Sequence, residues 1–148
     1  MSAKLIQRRW VAALALTGAI AMIAGCQSMA PTMAGQEIAL SGANEVPAVT
    51  TTASGTGTVT VNADRTVSAR ITVSGMTATA SHIHEGAAGA NGPVIVPFTK
   101  TGDNTFAAPD GAKLTESQYA SYKAGNLYVN VHSARNPGGE VRAQLKGN

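Results

Sequence analysis

The dominant pattern in the sequence after about residue 37 is an alternation of apolar and polar side chains. Its clearest stretch, residues 57–75, reads GTVTVNADRTVSARITVSG. Alternation with a period of two is typical of β-strands that bury one face. The polar residues 62–65 separate two such halves, so the stretch predicts an antiparallel hairpin with one packed and one solvent-facing side. The predicted inward positions are Val59, Val61, Val67, Ala69, Ile71 and Val73.

The same alternation recurs near the C-terminus, in residues 140–145. The apolar positions of this strand are expected to face inward, and Glu140, Arg142 and Gln144 are expected to face solvent. A shorter apolar segment at 93–98 contains two prolines, which cannot donate hydrogen bonds, so it is predicted at an edge or a strand end. Turn residues separate the strands at intervals of roughly 8–12 residues, which is typical of a β-sandwich or barrel.

One segment, residues 114–126, favours a helix instead. Thr115 is a suitable N-cap, Glu116 follows in the first turn, and Gly125 is placed to end the helix. The sequence therefore predicts a mainly β fold, an antiparallel sandwich or barrel, with one short helix.

The N-terminal residues 1–25 have the organisation of a secretory signal peptide. Lys4, Arg8 and Arg9 precede a nearly unbroken apolar run, and small residues end it. The run is shorter than the roughly 20 residues that a membrane-spanning helix needs. A retained anchor helix is the alternative interpretation.

The sequence IAGC at residues 23–26 resembles the lipobox of bacterial lipoproteins. The resemblance implies cleavage before Cys26 and attachment of diacylglyceryl and palmitate chains there, which would anchor the protein stably in a membrane. Cys26 is the only cysteine of the chain, and a lone cysteine in a secreted protein needs a partner or a modification. Gln27 resembles the residue of lipoproteins sent to the outer membrane, so we expect a cell-envelope protein facing the periplasm. An ordinary signal followed by a stray thiol is the alternative.

Removal of the signal changes the charge of the protein. The whole chain has 11 Lys+Arg and 8 Asp+Glu, and the three basic residues of the signal leave 8 against 8. A neutral mature chain gives no reason to expect nucleic acid as a partner. Residues 26–36 are predicted to be the lipidated cysteine and a flexible tether, and residues 37–148 one β domain.

Three histidines are the candidate chemistry of the domain. His82 and His84 lie two apart in a predicted strand and therefore share a face. In the predicted strand LYVNVHS, residues 127–133, His132 shares a face with Tyr128 and Asn130. If the two strands bring the imidazoles level, they form a three-nitrogen site suited to copper or zinc. Glu85 is a candidate fourth ligand or a partner of a ligand.

A structural interpretation competes with the metal site. Ala78 and Ala80 precede the two histidines with the same spacing, which suggests that this face is directed inward. Each imidazole would then hydrogen-bond backbone carbonyls of the loop at residues 85–93. A pH-sensitive or ligand-contacting role is a third interpretation.

Sequence signatures of enzymes are missing: the chain has no P-loop, no CxxC and no G-x-S-x-G. Ser81 and Ser133 each adjoin a histidine, but neighbours in a strand point to opposite faces. Neither pair is therefore expected to form a nucleophile with its base, and the protein is not expected to be an enzyme.

Three longer stretches resemble the CHRD domain, a family named after chordin and found in many bacterial secreted proteins. They are LSGANEVPAVTTTASGTG, ATASHIHEGAAGANGPVIV and LYVNVHSARNPGGEVRAQL, and together they span about residues 39–145. The resemblance implies an immunoglobulin-like β-sandwich or barrel in a secreted setting, with a mostly undefined biochemical role. Glu85 departs from the family, which more often has glycine after the second histidine. We therefore expect a non-enzymatic binding or structural module with an envelope protein or matrix component as partner, and a copper or zinc protein is the alternative.

Overall fold

The computed structural model describes residues 35–147. The predicted signal peptide, Cys26 and the predicted tether up to residue 34 lie outside this range. Within it the chain forms nine strands, one α-helix and a short 3-10 turn at Gly42–Asn44, and this helix is too short and too polar to cross a membrane. The strands are β1 Gln36–Ser41, β2 Ser54–Val61, β3 Val67–Ser74, β4 Ala78–Glu85, β5 Val94–Pro97, β6 Thr99–Gly102, β7 Thr105–Ala107, β8 Leu127–Ser133 and β9 Val141–Gln144, and the helix α1 is Glu116–Lys123.

The described strands form one antiparallel sheet in the order β5-β4-β8-β9-β1-β2-β3-β7-β6. Its two end strands, β5 and β6, are separated in the chain only by Phe98, so the ends of the sheet meet. The Phe98 amide donates to the Ser81 carbonyl at 3.0 Å, and Lys100 Nζ donates to the Ala78 carbonyl at 2.8 Å. The sheet is thus a nearly closed barrel, which confirms the predicted mainly β, sandwich-like or barrel-like class with one helix.

The predicted hairpin is present as β2 and β3. The two strands pair over eight residues each, from Val61 opposite Val67 to Ser54 opposite Ser74. In β3 every second residue is buried and the residues between them are exposed. Arg65 in the connecting turn has φ of +73°, a backbone conformation that is unfavourable for a residue with a Cβ.

The predicted helix is also present, shortened to its central residues. Thr115 Oγ1 accepts from the Gln118 amide, and the Gln118 side chain accepts in return from the Thr115 amide. This capping box fixes the start of the helix. Gly125 follows the helix with φ of +75°, the conformation that favours glycine after a helix end.

Apolar side chains from most of the strands form one core cluster in the described part of the chain. Its most deeply buried members are Leu40, Val59, Val61, Ile71, Ile83, Phe106, Leu127, Val129, Val131, Val141 and Leu145. The second face of β8 and β9 differs from the prediction, because Glu140 is 6% exposed and Arg142 only 1% exposed. Loops cover this face. The alternation of apolar and polar residues correctly identified the core face of each strand, but it carries no information about loops that cover the opposite face.

Candidate metal centre

The two predicted histidine strands are neighbours in the sheet. His82 and His84 lie on β4, which pairs antiparallel with β8, the strand of His132. His82 is opposite Asn130, and Ala80 is opposite His132. The register therefore places His132 diagonally beside His82, so that strand pairing alone assembles all three imidazoles.

The face that carries the histidines is not the core face. Ala78 and Ile83 are in the core, with exposures of 1% and 0%, and a β-bulge lies between Ala78 and Ala80. The extra residue inverts the alternation, because side chains in a strand change face at every residue. His82 and His84 consequently lie on the opposite face from Ile83, and the expectation that the alanines extend an inward histidine face is wrong.

The three imidazoles form a compact triangle. Ring centroids are 4.8 Å apart for His82 and His132, 5.5 Å for His82 and His84, and 6.1 Å for His84 and His132. One ring nitrogen from each residue lies within 4.8 Å of the others. Among the His, Cys, Asp and Glu side chains of residues 35–147, these three histidines form a group that is close enough to share a metal ion.

The two ring nitrogens of His84 differ in their hydrogen bonding. Its Nδ1 lies 2.9 Å from the carbonyl oxygen of Gly92, which can only accept a hydrogen bond, so Nδ1 carries the proton. Its Nε2 is buried and has no hydrogen-bond partner among the described residues. Buried polar atoms without a partner are uncommon in folded proteins. The unused lone pair of Nε2 is what a metal ligand presents before an ion binds.

His132 resembles His84 at Nδ1 but differs at Nε2. Its Nδ1 donates to the carbonyl oxygen of Pro137 at 2.9 Å, and its Nε2 lies 3.0 Å from Nδ1 of His82. Since Nδ1 of His132 is the donor to Pro137, Nε2 accepts from His82. A hydrogen bond from the far nitrogen of an imidazole to a backbone carbonyl is the usual way in which proteins orient a metal-binding histidine.

The electrostatics of the cluster favour the neutral form of His82 and His132. Burial, together with the neighbouring His132 and His84, lowers the pKa of His82 to about 4. Burial also lowers the pKa of His132, against the opposing effect of its hydrogen bond to Pro137. Both rings are therefore neutral at pH 7, and a metal ion does not have to compete with protons for them.

A second layer of side chains lies behind His84. The ring of Tyr128 stacks on His84 with centroids 4.8 Å apart and planes 8° from parallel. The guanidinium carbon of Arg142 lies 3.4 Å from the centre of the Tyr128 ring. Alternation had placed Tyr128 on the face of His132, but the burial of Arg142 had no signal in the sequence, because it depends on the path of the loop at residues 86–93.

Glu85 is not brought into the cluster. Its carboxylate accepts from Ser121 Oγ at 2.6 Å, in keeping with its place next to His84 in a strand, where neighbours point to opposite faces. Ser81 and Ser133 also point elsewhere, because Ser81 Oγ donates to the Asn130 carbonyl and Ser133 Oγ to the Glu140 carboxylate.

The family of the chain follows from comparison with known domains. The family model of the CHRD domain matches residues 37–145. The chain belongs to the CHRD domain family. No curated protein and no solved structure matches it significantly. The match covers β1 to β9, so the histidine cluster lies inside the CHRD domain.

Proposed function

We propose that this CHRD domain binds one copper or zinc ion through His82, His84 and His132. The observation that carries the proposal is the buried Nε2 of His84, which has no partner among residues 35–147 while Nδ1 of the same ring is fixed by Gly92. A histidine whose role is only to hold a loop uses Nδ1 in this way, and such a role does not account for a buried Nε2 without a partner in a ring that lies beside two other imidazoles.

The spacing of the nitrogens supports the same proposal. Two nitrogens bound to one ion at about 2.0–2.1 Å, with angles of about 90–109°, lie about 2.8–3.4 Å apart. His82 Nδ1 and His132 Nε2 are 3.0 Å apart, so a bound ion would take the place of the proton that His82 Nδ1 now donates, and that proton would move to Nε2 of His82. His82 is the least buried of the three rings, so it is the one that can turn to complete the set and leave a fourth position for water.

The protein itself supplies three neutral nitrogen ligands and their orientation. Imidazole suits both copper and zinc, and the absence of a thiolate or carboxylate from the cluster in the described residues leaves the two open at this level. We propose metal binding as the role of the site; the hydroxyls of Ser81 and Ser133 are committed to other partners, so neither serves as a nucleophile beside the histidines.

The test is metal titration of the purified full-length chain by calorimetry, with Cu(II) and with Zn(II). We expect uptake of one equivalent, and at least a hundredfold weaker binding in His84→Ala and in His132→Ala. Glu85→Gln is the matched control, because it alters the neighbouring residue on the opposite face and should leave the affinity unchanged. No binding tighter than millimolar, or undiminished binding in both histidine variants, would overturn the proposal.

We further propose that the domain is displayed at the bacterial cell envelope by a lipid on Cys26. The support is the signal-like residues 1–25 and the IAGC sequence at their end. In cell fractionation the wild-type chain should sediment with membranes and incorporate labelled palmitate, and Cys26→Ala should do neither. Ser28→Ala is the control that keeps both properties, and membrane retention of Cys26→Ala would contradict the anchor.

A further inference from the structure

The stack behind His84 joins three neighbouring strands. His84 is on β4, Tyr128 on β8 and Arg142 on β9, and β8 lies between the other two. Tyr128 is therefore the middle member, in contact with the imidazole on one side and the guanidinium on the other. A guanidinium over an aromatic ring is a favourable cation–π arrangement, and it is strongest when it is shielded from water.

Arg142 is a buried charge whose hydrogen-bond acceptors are all neutral. It is 1% exposed, and its guanidinium donates to the carbonyl oxygens of Ala87 and Ala90 and to the amide oxygens of Asn91 and Gln144. None of these partners, all within the described residues, is a carboxylate. The positive charge of Arg142 is consequently not cancelled by an ion pair, and its field reaches the neighbouring groups.

Glu45 is an acid that interacts with this charge. Its carboxyl group interacts electrostatically with Arg142, but burial raises the pKa of Glu45 to about 7, so the group is only partly ionised at neutral pH. Glu45 Oε1 has no hydrogen-bond partner in residues 35–147. The acid therefore offsets only part of the charge of Arg142.

The same arginine also positions His84. Ala87, Ala90 and Asn91 belong to the loop whose Gly92 carbonyl accepts from His84 Nδ1. Tyr128 Oη accepts from the Gly92 amide at 3.2 Å, which fixes this loop residue a second time. Gly92 is required here because a Cβ at this position would overlap the Glu85 carbonyl.

We infer that Arg142, acting through Tyr128, positions His84 and biases the metal site towards monovalent copper over Cu(II) and Zn(II). The inference rests on the proposed metal-binding function. Three neutral imidazoles add no negative charge to the site, and the guanidinium of Arg142 is separated from His84 only by the stacked ring of Tyr128, so its field acts on a bound ion. Repulsion from a fixed charge is proportional to the charge of the ion, and a divalent ion is disfavoured twice as strongly as a monovalent one.

The experiment measures Cu(I) and Cu(II) affinities of the full-length chain by competition with chromophoric chelators, the Cu(I) series without oxygen. In Arg142→Met we expect the ratio of Cu(I) to Cu(II) affinity to fall about tenfold, the order expected for one unit charge at an effective dielectric constant of about 20. For a one-electron couple this equals a fall of about 59 mV in the midpoint potential. In Arg70→Met, which removes an exposed arginine of β3, the ratio should stay within twofold of wild type.

Two further variants keep the test decisive if Arg142→Met does not fold. Asn91 is exposed and its Oδ1 accepts from Arg142 Nη1 at 3.2 Å, so Asn91→Asp places a carboxylate on the guanidinium. It also removes the hydrogen bond from Asn91 Nδ2 to the Val46 carbonyl, a loss that Asn91→Ala shares. The ratio of Asn91→Asp should fall about threefold, whereas Asn91→Ala, which adds no charge, should retain the wild-type ratio. Tyr128→Phe removes the hydroxyl that accepts from the Gly92 amide and keeps the ring, so it should weaken the binding of both copper ions by the same factor.

The outcomes separate this inference from the function on which it rests. An unchanged ratio in Asn91→Asp and in any folded Arg142→Met, with copper binding still lost in His84→Ala, would overturn the inference and leave the metal site in place. The role of Arg142 would then be only to hold the loop at residues 86–93 through hydrogen bonds. Failure of the wild-type chain to bind either copper ion would overturn both proposals.

Discussion

The β2–β3 hairpin and the β4–β8 pair are both long antiparallel ladders, but they differ in how many of their side chains are buried. In β3 burial alternates strictly, and Ser68, Arg70 and Thr72 are exposed. In β8 all seven residues are buried. The core-facing residues of both pairs are alike, so the difference lies entirely in what covers the other face.

The second face of β4 and β8 is covered by backbone rather than by side chains. The loop at residues 86–93 supplies the Gly92 carbonyl to His84, and the turn at residues 134–139 supplies the Pro137 carbonyl to His132. Polar side chains buried in this way need partners, and here most of them find backbone groups. The structural interpretation of the histidines is thus correct for one nitrogen of His84, and the metal proposal concerns the other nitrogen.

The largest expected effect tests whether the two faces differ in their contribution to stability. Phe106 packs in the core beside β3 with 1% exposure, and Phe106→Ala should lower the free energy of unfolding by about 3–5 kcal/mol. His84→Ala, without metal, should cost only about 1 kcal/mol, since it loses one hydrogen bond and one stacked ring. Urea unfolding of the metal-free chains measures both.

An equal cost for the two substitutions would contradict this division. The histidine face would then be a second structural core, and its burial would need no ion to explain it. Unfolding with the same m-value in both variants is the control that they lose stability rather than compactness.

The next effect concerns pH, where buried groups of the covered face act in opposite directions. The pKa of Glu45 rises from 4.5 to about 7 on folding, mainly through burial, so the folded state binds more protons between these values. Glu45 therefore lowers stability as pH rises through this window. The pKa of His82 falls from 6.5 to about 4, again mainly through burial, so the unfolded state binds more protons there and stability rises with pH.

Glu45→Gln should remove one side of this balance. We expect a nearly level stability profile for the metal-free wild-type chain between pH 5 and 7. For Glu45→Gln we expect a stability that rises with pH, exceeding wild type by about 1–2 kcal/mol at pH 8 relative to pH 5. Glu37→Gln, at an exposed position of β1, is the control and should follow the wild-type profile. Parallel profiles for Glu45→Gln and wild type would show that the buried carboxyl does not carry the pH dependence.

The comparison also explains how far the sequence could predict the molecule. Where one face meets water, as in the hairpin, alternation determined both the strands and their orientation. The spacing of His82 and His84 and the place of His132 on the face of Tyr128 likewise predicted which imidazoles belong together. The same alternation puts Glu85 on the face opposite His84, and its carboxylate accordingly accepts from Ser121 instead of joining the cluster.

Other features depend on long-range geometry that no local pattern records. The bulge at Ala78–Ala80 determines which face the histidines occupy, and the register of β4 against β8 sets the distance from His82 to His132. The burial of Arg142 follows from the path of a loop some fifty residues away in sequence. The pattern therefore predicted that Arg142 faces solvent, whereas the loop buries it beside the site.

The smallest expected effect concerns the β2–β3 hairpin. There the alternating pattern predicted the strands and their orientation, but not the backbone conformation of one turn residue. Arg65 has a positive φ of 73°, and a residue with a Cβ is strained there. Arg65→Gly should raise the free energy of unfolding by about 0.5–1 kcal/mol, because relief of strain exceeds the added entropy of the unfolded chain. Ala63→Gly, two residues earlier in the same turn at a position without positive φ, should lower it. If both glycines destabilise the chain alike, the turn is held by its contacts: the Asn62 carbonyl accepts from the Arg65 amide, and Asp64 from Thr66. The turn would then depend on its local hydrogen bonds more than on the backbone conformation of Arg65.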